Sequence, residues 1–122
     1  MSEQAKLLIV DDELSVRDSL GKWFREEGYV IGAAENGSQA LSLMAENSWD
    51  AALVDIKMRG IDGIELQRRM HEIDPHLMVI LMTGYAISEI EQRGQAAGVD
   101  YFLPKPFRRE QIAPIVRAAL GR

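Results

Sequence analysis

The chain has 122 residues, 47% of them hydrophobic and 27% charged, which is the scale and balance of one globular domain over residues 1–122 with no room for a second. Its formal net charge of -5 argues against direct binding to nucleic acid or to an anionic membrane, and the pairs Arg68-Arg69 and Arg108-Arg109 are too short to reverse that. With no cysteine, no apolar run near the roughly 20 residues of a membrane span and no signal-peptide pattern in Met-Ser-Glu-Gln-Ala-Lys, neither a disulfide framework nor a thiol nucleophile is available, and a cytoplasmic setting is expected.

Lys6 to Val10 is a short apolar run that ends in Asp11 and Asp12, a first strand handing two carboxylates to a loop. From Glu13 to Glu27, residues Val16, Leu20, Trp23 and Phe24 fall at helical spacing, and Gly28 follows where helices commonly stop. Val30 to Ala34 reads as a second strand. Asn36-Gly37-Ser38 then turns the chain, with Ser38 as candidate cap of a helix that carries Leu41 and Met44 and ends near Asn47-Ser48.

Ala51-Ala-Leu-Val-Asp55 is uniformly apolar up to one carboxylate. Such a run suits a strand covered on both faces of a parallel sheet, and ligands of open α/β sheets bind at the carboxyl ends of the strands. Asp55 is therefore the candidate reactive residue. A loop through Gly60 and Gly63 leads to a third helix marked by Leu66, Met70 and Ile73, before Pro75 breaks the pattern. Leu77 to Met82 reads as the most apolar strand, ending at Thr83-Gly84. Ile87 to Ala97 has a thin apolar stripe, and Gly94 in its middle costs about 1 kcal/mol relative to alanine, so this fourth helix is expected to be the loosest. Tyr101 to Leu103 reads as the last strand, with Pro104 pointing to a sheet edge, and Lys105-Pro106 follows. The final helix carries Ile112, Ile115, Val116, Ala119 and Leu120 on one face, and Pro114 is expected in its first turn. Strand and helix alternate five times, which predicts a doubly wound parallel sheet of five strands with five helices; chain order alone leaves the strand order open.

Asp11, Asp12, Asp55, Thr83 and Lys105 all stand at carboxyl ends of strands, hence at one edge of a parallel sheet. Three carboxylates about 4 Å apart repel by about 4 kcal/mol per pair at an effective dielectric near 20, which a divalent cation would relieve. Oxygen ligands without cysteine or a histidine pair indicate magnesium, which takes one or two carboxylates together with phosphate oxygens. Thr83 and Lys105 could then bind the remaining oxygens of a phosphoryl group. Taken singly, each residue has a plainer role: Asp12 as a helix cap, Asp55 and Asp62 as turn formers, Thr83-Gly84 as a strand exit, Lys105 as a solvated lysine. Their joint placement favours a site. His71 and His76 lack metal-ligand spacing and are assigned surface roles, and the six methionines are read as core filler.

Together, Leu-Ile-Val-Asp11-Asp12-Glu13, Leu-Val-Asp55-Ile-Lys-Met58, Met-Thr83-Gly84-Tyr85 and Leu-Pro-Lys105-Pro106-Phe107 resemble the receiver domains of response regulators in bacterial two-component signalling, over nearly the whole chain. The resemblance implies a flavodoxin-like five-stranded sheet in the order 2-1-3-4-5, with magnesium held by Asp11, Asp12, Asp55 and the backbone carbonyl of Lys57. It implies that Asp55 accepts a phosphoryl group from the phosphohistidine of a sensor histidine kinase or phosphotransfer protein. Thr83 and Lys105 would bind the product, Phe102 would be the aromatic switch residue, and the Lys105-Pro106 bond would be cis. Lys57 stands where the family tunes the lifetime of the phosphoryl group, and Tyr85 flanks the same water approach. Arg59 departs from the proline often found at its position. Phosphorylation would change the face made by the fourth helix, the last strand and the fifth helix, to control an output partner or to pair two copies as a homodimer. The Thr-Gly-Tyr and Phe-Leu-Pro-Lys-Pro-Phe variants look most like receivers attached to transcription activators.

Such a switch is not an enzyme acting on a separate substrate; it catalyses only its own phosphorylation and dephosphorylation. Three rivals are weighed against it. An aspartyl-phosphate phosphatase or mutase of the haloacid dehalogenase type would place a second aspartate where Lys57 stands. A pseudo-receiver that only binds partners would not need the Asp, Thr and Lys set. A flavin-binding protein of the same fold would absorb visible light.

Overall fold

Alternation along five short strands sorts the apolar side chains into two layers, and the helices divide between them. The computed structural model describes residues 4–84 and 100–121. Its elements are β1 (Lys6–Val10), α1 (Leu14–Glu26), β2 (Val30–Ala34), α2 (Gly37–Glu46), β3 (Ala51–Asp55), α3 (Gly63–Ile73), β4 (Met78–Thr83), β5 (Tyr101–Pro104) and α4 (Arg109–Leu120). All neighbouring strands are parallel, in the order β2-β1-β3-β4-β5, as the resemblance implied. Four helices are found among the described residues, where five were expected. The segment from Ile87 to Ala97, with Gly94 in it, lies outside the described residues.

Leu7, Ile9, Leu53, Ile80, Met82 and Leu103 pack against Leu20 and Phe24 of α1 and Ile112 and Val116 of α4. Leu8, Val10, Val54, Val79 and Leu81 pack on the other side against Ala40 and Met44 of α2 and Leu66 and Met70 of α3. The central strand β3 is buried at every residue, which is why its sequence shows no polar alternation. Truncating one of these side chains, as in Leu53→Ala, would cost about 2–5 kcal/mol.

Several local expectations need correction. Asn36, not Ser38, caps α2: its side chain accepts the Gln39 N–H at 2.9 Å. Because α4 begins at Arg109, Pro114 lies beyond the first turn, inside the helix, where its missing N–H removes the bond to the Glu110 carbonyl. β4 is shifted by one residue from the expected Leu77–Met82, so it starts at Met78 and ends at Thr83, and β5 takes in Pro104, tolerated on an edge strand. His71 is half-buried and does more than the surface role expected of it. Its Nε2 donates to the Leu77 carbonyl at 2.8 Å and its Nδ1 meets the Gln67 amide, tying α3 to the start of β4. The turn of Trp49 under β2 needs a glycine at residue 32, where a Cβ would lie 2.3 Å from the indole.

Candidate functional site

β1 and β3 lie side by side, with Val10 opposite Val54, so Asp11 and Asp55 leave the centre of the sheet together. By alternation Asp11 follows Ile9, Asp55 follows Leu53 and Lys105 follows Leu103, and those three apolar residues share the layer under α1 and α4. The three polar groups therefore emerge on one side. Carboxylate oxygens of Asp11, Asp12 and Asp55 all lie within 4.8 Å of one another. Lys105 Nζ stands 2.9 Å from Asp11 Oδ2 and 3.5 Å from Asp55 Oδ2. Asp11 and Asp55 are buried, whereas Asp12 is exposed.

The surrounding backbone holds these groups in place. Asp11 Oδ1 accepts the Glu13 N–H at 2.9 Å, and Glu13, not Asp12, occupies the N-cap position of α1. The capping role that Asp12 alone would have suggested thus falls to a different residue, and one without a side-chain cap bond. Lys105 N–H donates to the Thr83 carbonyl at 2.7 Å, and the Lys105-Pro106 bond is cis. The loop after β3 turns at Gly60, whose φ of 85° is left-handed. Asp62 then caps α3 by accepting the Glu65 N–H at 2.9 Å. At Gly63 a Cβ would lie 2.4 Å from the Asp55 carbonyl oxygen and 2.7 Å from Ile56 Cα, so only glycine lets α3 start this close to the acid.

Thr83 is buried at the end of β4. It lies two residues past Leu81, whose strand partner is Phe102, and Leu81 and Phe102 share the layer under α2 and α3. Thr83 and Phe102 are thus on the same face of the sheet, opposite to that of Asp55. Lys57 is exposed, and its backbone N–H bonds the Asp55 carboxylate. Tyr85 lies outside the described residues.

Burial, then the charge of Asp11, raises the Asp55 pKa from 3.8 to about 6, with Lys105 and the Lys57 N–H pulling the other way. For Lys105, burial opposes the charge, but the hydrogen bond and charge of Asp11, with Asp55 behind them, outweigh it and hold the amine above its usual value. The lysine thus remains a fixed cation between two buried acids. The donor set, three carboxylates without nitrogen or sulfur, fits a hard divalent cation of the magnesium kind. Two residues that shape this corner escaped sequence reasoning. Gly63 was read only as a loop glycine, although an Asp-Gly pair opening a helical pattern was a usable signal; Arg17, which bonds the Asp11 carbonyl, gave none.

Residues 7–117 match the family described as the response regulator receiver domain. The chain belongs to that family. It is 38% identical to sporulation initiation phosphotransferase F of Bacillus subtilis (strain 168), over 94% of this chain and 93% of that protein. It is 35% identical to the response regulator MprA of Mycobacterium sp. (strain KMS), over 96% of this chain but only 51% of that protein. Among solved structures, the response regulator TrrA of Thermotoga maritima, in complex with magnesium and beryllium fluoride, superposes with a TM-score of 0.86. That likeness comes with 31% identity and covers 96% of this chain and all (100%) of the other. Receiver domains are signalling switches rather than classical enzymes, so the phosphatase reading is not favoured. No described helix is long and apolar enough to cross a membrane.

Proposed function

We propose that this receiver domain is switched by phosphorylation of Asp55. A carboxylate oxygen of Asp55 attacks the phosphorus of a phosphohistidine on a sensor histidine kinase or phosphotransfer protein. The O–P bond forms as the P–N bond breaks, and the imidazole nitrogen keeps the electron pair. Asp11, Asp12, Asp55 and the backbone carbonyl of Lys57 would hold magnesium, which offsets phosphoryl charge when bound. Lys105 neutralises a phosphoryl oxygen and the Thr83 hydroxyl donates to another. The observation that carries this reading is the convergence of three carboxylates and one ammonium group at the end of the buried central strand. The magnesium and beryllium fluoride complex of TrrA supports the choice of cation.

The domain catalyses only its own phosphorylation and dephosphorylation. Its likeness to a phosphotransferase along 93% of that protein supports a place in a phosphorelay, and a cytoplasmic setting is consistent with the receiver family. Residues 1–122 act as one domain, and the Thr-Gly-Tyr and Phe-Leu-Pro-Lys-Pro-Phe segments support an output in transcription control. For the signal to leave, Thr83 moves toward the phosphoryl group and Phe102, on the same sheet face, fills the space it vacates. The face made by β5 and α4 then changes and meets an output partner or a second copy. Lys57 and Tyr85 tune the lifetime, so alanine at either position should change the decay of the phosphoprotein more than its stability.

Mass spectrometry tests the acceptor. With magnesium and acetyl phosphate the wild type should gain one phosphoryl mass on Asp55, and Asp55→Asn none. Uptake by Asp55→Asn at wild-type speed would overturn the assignment. Thr83→Ala should still take up the group, yet at matched beryllofluoride occupancy its amide signals from Gly84 to Phe107 should move less than those of the wild type.

A further inference from the structure

Arg17 lies outside the set of groups that would face a phosphoryl group, yet it grips the peptide from which two of the three carboxylates hang. Asp11 stands between β1, which ends at Val10, and α1, which begins at Leu14, so its carbonyl belongs to neither ladder. The Arg17 side chain reaches back toward the start of α1, and its Nη1 donates to that carbonyl at 2.7 Å. Nη2 stands 3.9 Å from Glu35 Oε2, on the turn after β2. The arginine side chain is only 14% exposed, and a charge so withdrawn from water is retained where specific partners hold it.

The Asp11 carbonyl and the Asp12 N–H belong to one planar peptide. Fixing the oxygen fixes that plane, and so the direction in which the chain enters Asp12. The neighbouring bonds complete the hold: Asp11 N–H donates to the Ala34 carbonyl at 3.1 Å, and Asp11 Oδ1 accepts the Glu13 N–H at 2.9 Å. A planar guanidinium spans a carbonyl on one side and a carboxylate on the other, which a point-charge ammonium does less well.

We propose that Arg17 is a positioning residue for the divalent-cation site, keeping the Asp11 and Asp12 carboxylates convergent with Asp55 through its bond to the Asp11 carbonyl. This rests on the reading of the three carboxylates as a magnesium site. Charge and position make opposite demands here. A guanidinium near the acids repels a cation, so if charge were its only effect, its removal would tighten magnesium binding. If it positions the ligands, its removal weakens binding.

The full chain, titrated with magnesium alone by calorimetry at pH 7, separates the two. Arg17→Gln should raise the magnesium Kd by about 10-fold or more, the scale of loss for a group that orients metal ligands. In metal-free protein it should also displace the Asp12 amide signal. Arg17→Lys, which restores charge and a donor, should bring the Kd back to within about threefold of wild type. An unchanged or lower Kd in a folded Arg17→Gln overturns the assignment. Should that variant not fold, Arg17→Met, which keeps the aliphatic stem and removes the donor to the Asp11 carbonyl, decides: a displaced Asp12 signal with a raised Kd supports positioning, and wild-type values of both refute it. Absence of binding heat in the wild type would instead remove the cation site, and this assignment with it.

Discussion

Replacing Asp55 by asparagine should stabilise the metal-free chain at pH 7, although the residue stands at the centre of the site. Burial and the charge of Asp11 raise its pKa from 3.8 to about 6, even with Lys105 Nζ 3.5 Å away. That rise corresponds to about 3 kcal/mol by which folding disfavours the charged form. The native state holds its proton to a higher pH than the unfolded chain does. Stability from this group is therefore fully present below pH 3.8 and is lost as pH rises through about 6. Lys105, whose pKa is raised, stays charged throughout this window and adds no slope of its own. Asparagine keeps the size and the accepting carbonyl without the charge. Wild type and variant should therefore melt together near pH 4 and diverge toward pH 7, where a gap of about 3 kcal/mol amounts to roughly 10 °C in Tm for a domain of this size. Scanning calorimetry in the presence of a chelator at several pH values measures the gap. A variant that melts at or below the wild type at pH 7, or a gap that does not depend on pH, would refute the reasoning.

Asp12→Ala should leave the metal-free Tm within about 2 °C of wild type, because this acid is exposed and does not cap α1, while magnesium affinity falls at least about 10-fold; a larger melting loss without metal would show a structural role. Lys105→Met leaves Asp11 and Asp55 facing each other without their cation and should cost about 3 kcal/mol in urea unfolding, with magnesium restoring part of it. Wild-type stability in that variant would mean that the ion pairs contribute nothing. Gly63→Ala forces α3 away from the Asp55 carbonyl and should lose about 1–3 kcal/mol and slow acetyl phosphate uptake; an unchanged midpoint would show that the loop yields freely.

The strands were legible because each is a run of about five apolar residues between turn formers, and those of β1, β2 and β3 came out at the expected bounds. Their carboxyl ends carry Asp11, Asp55, Thr83 and Lys105, so the chemistry could be assembled from parallel strands alone. Helix ends were less legible. Asn36 and Ser38 are both good caps two residues apart, and only the backbone geometry selects Asn36. Pro114 was expected in the first turn because proline is costly further into a helix; what the local sequence does not show is the packing of Ile112 and Val116 under the sheet, which outweighs that cost. Nothing in the neighbourhood of His71 announces that the Leu77 carbonyl, on the far side of Pro75, waits for its Nε2.

By itself, the sequence determined which groups stand at strand ends and that both faces of β3 must be covered, because periodicity and turn chemistry act over a few residues. Strand order was implied by family resemblance and became physical only with the registers of the five strands. The electrostatics of the site belong to tertiary structure. Asp11 and Lys105 are 94 residues apart in the chain and 2.9 Å apart in space. Asp55 is an acid near 6 rather than 3.8 because of how deeply the sheet buries it and how close Asp11 lies, and depth and distance exist only once the chain has folded.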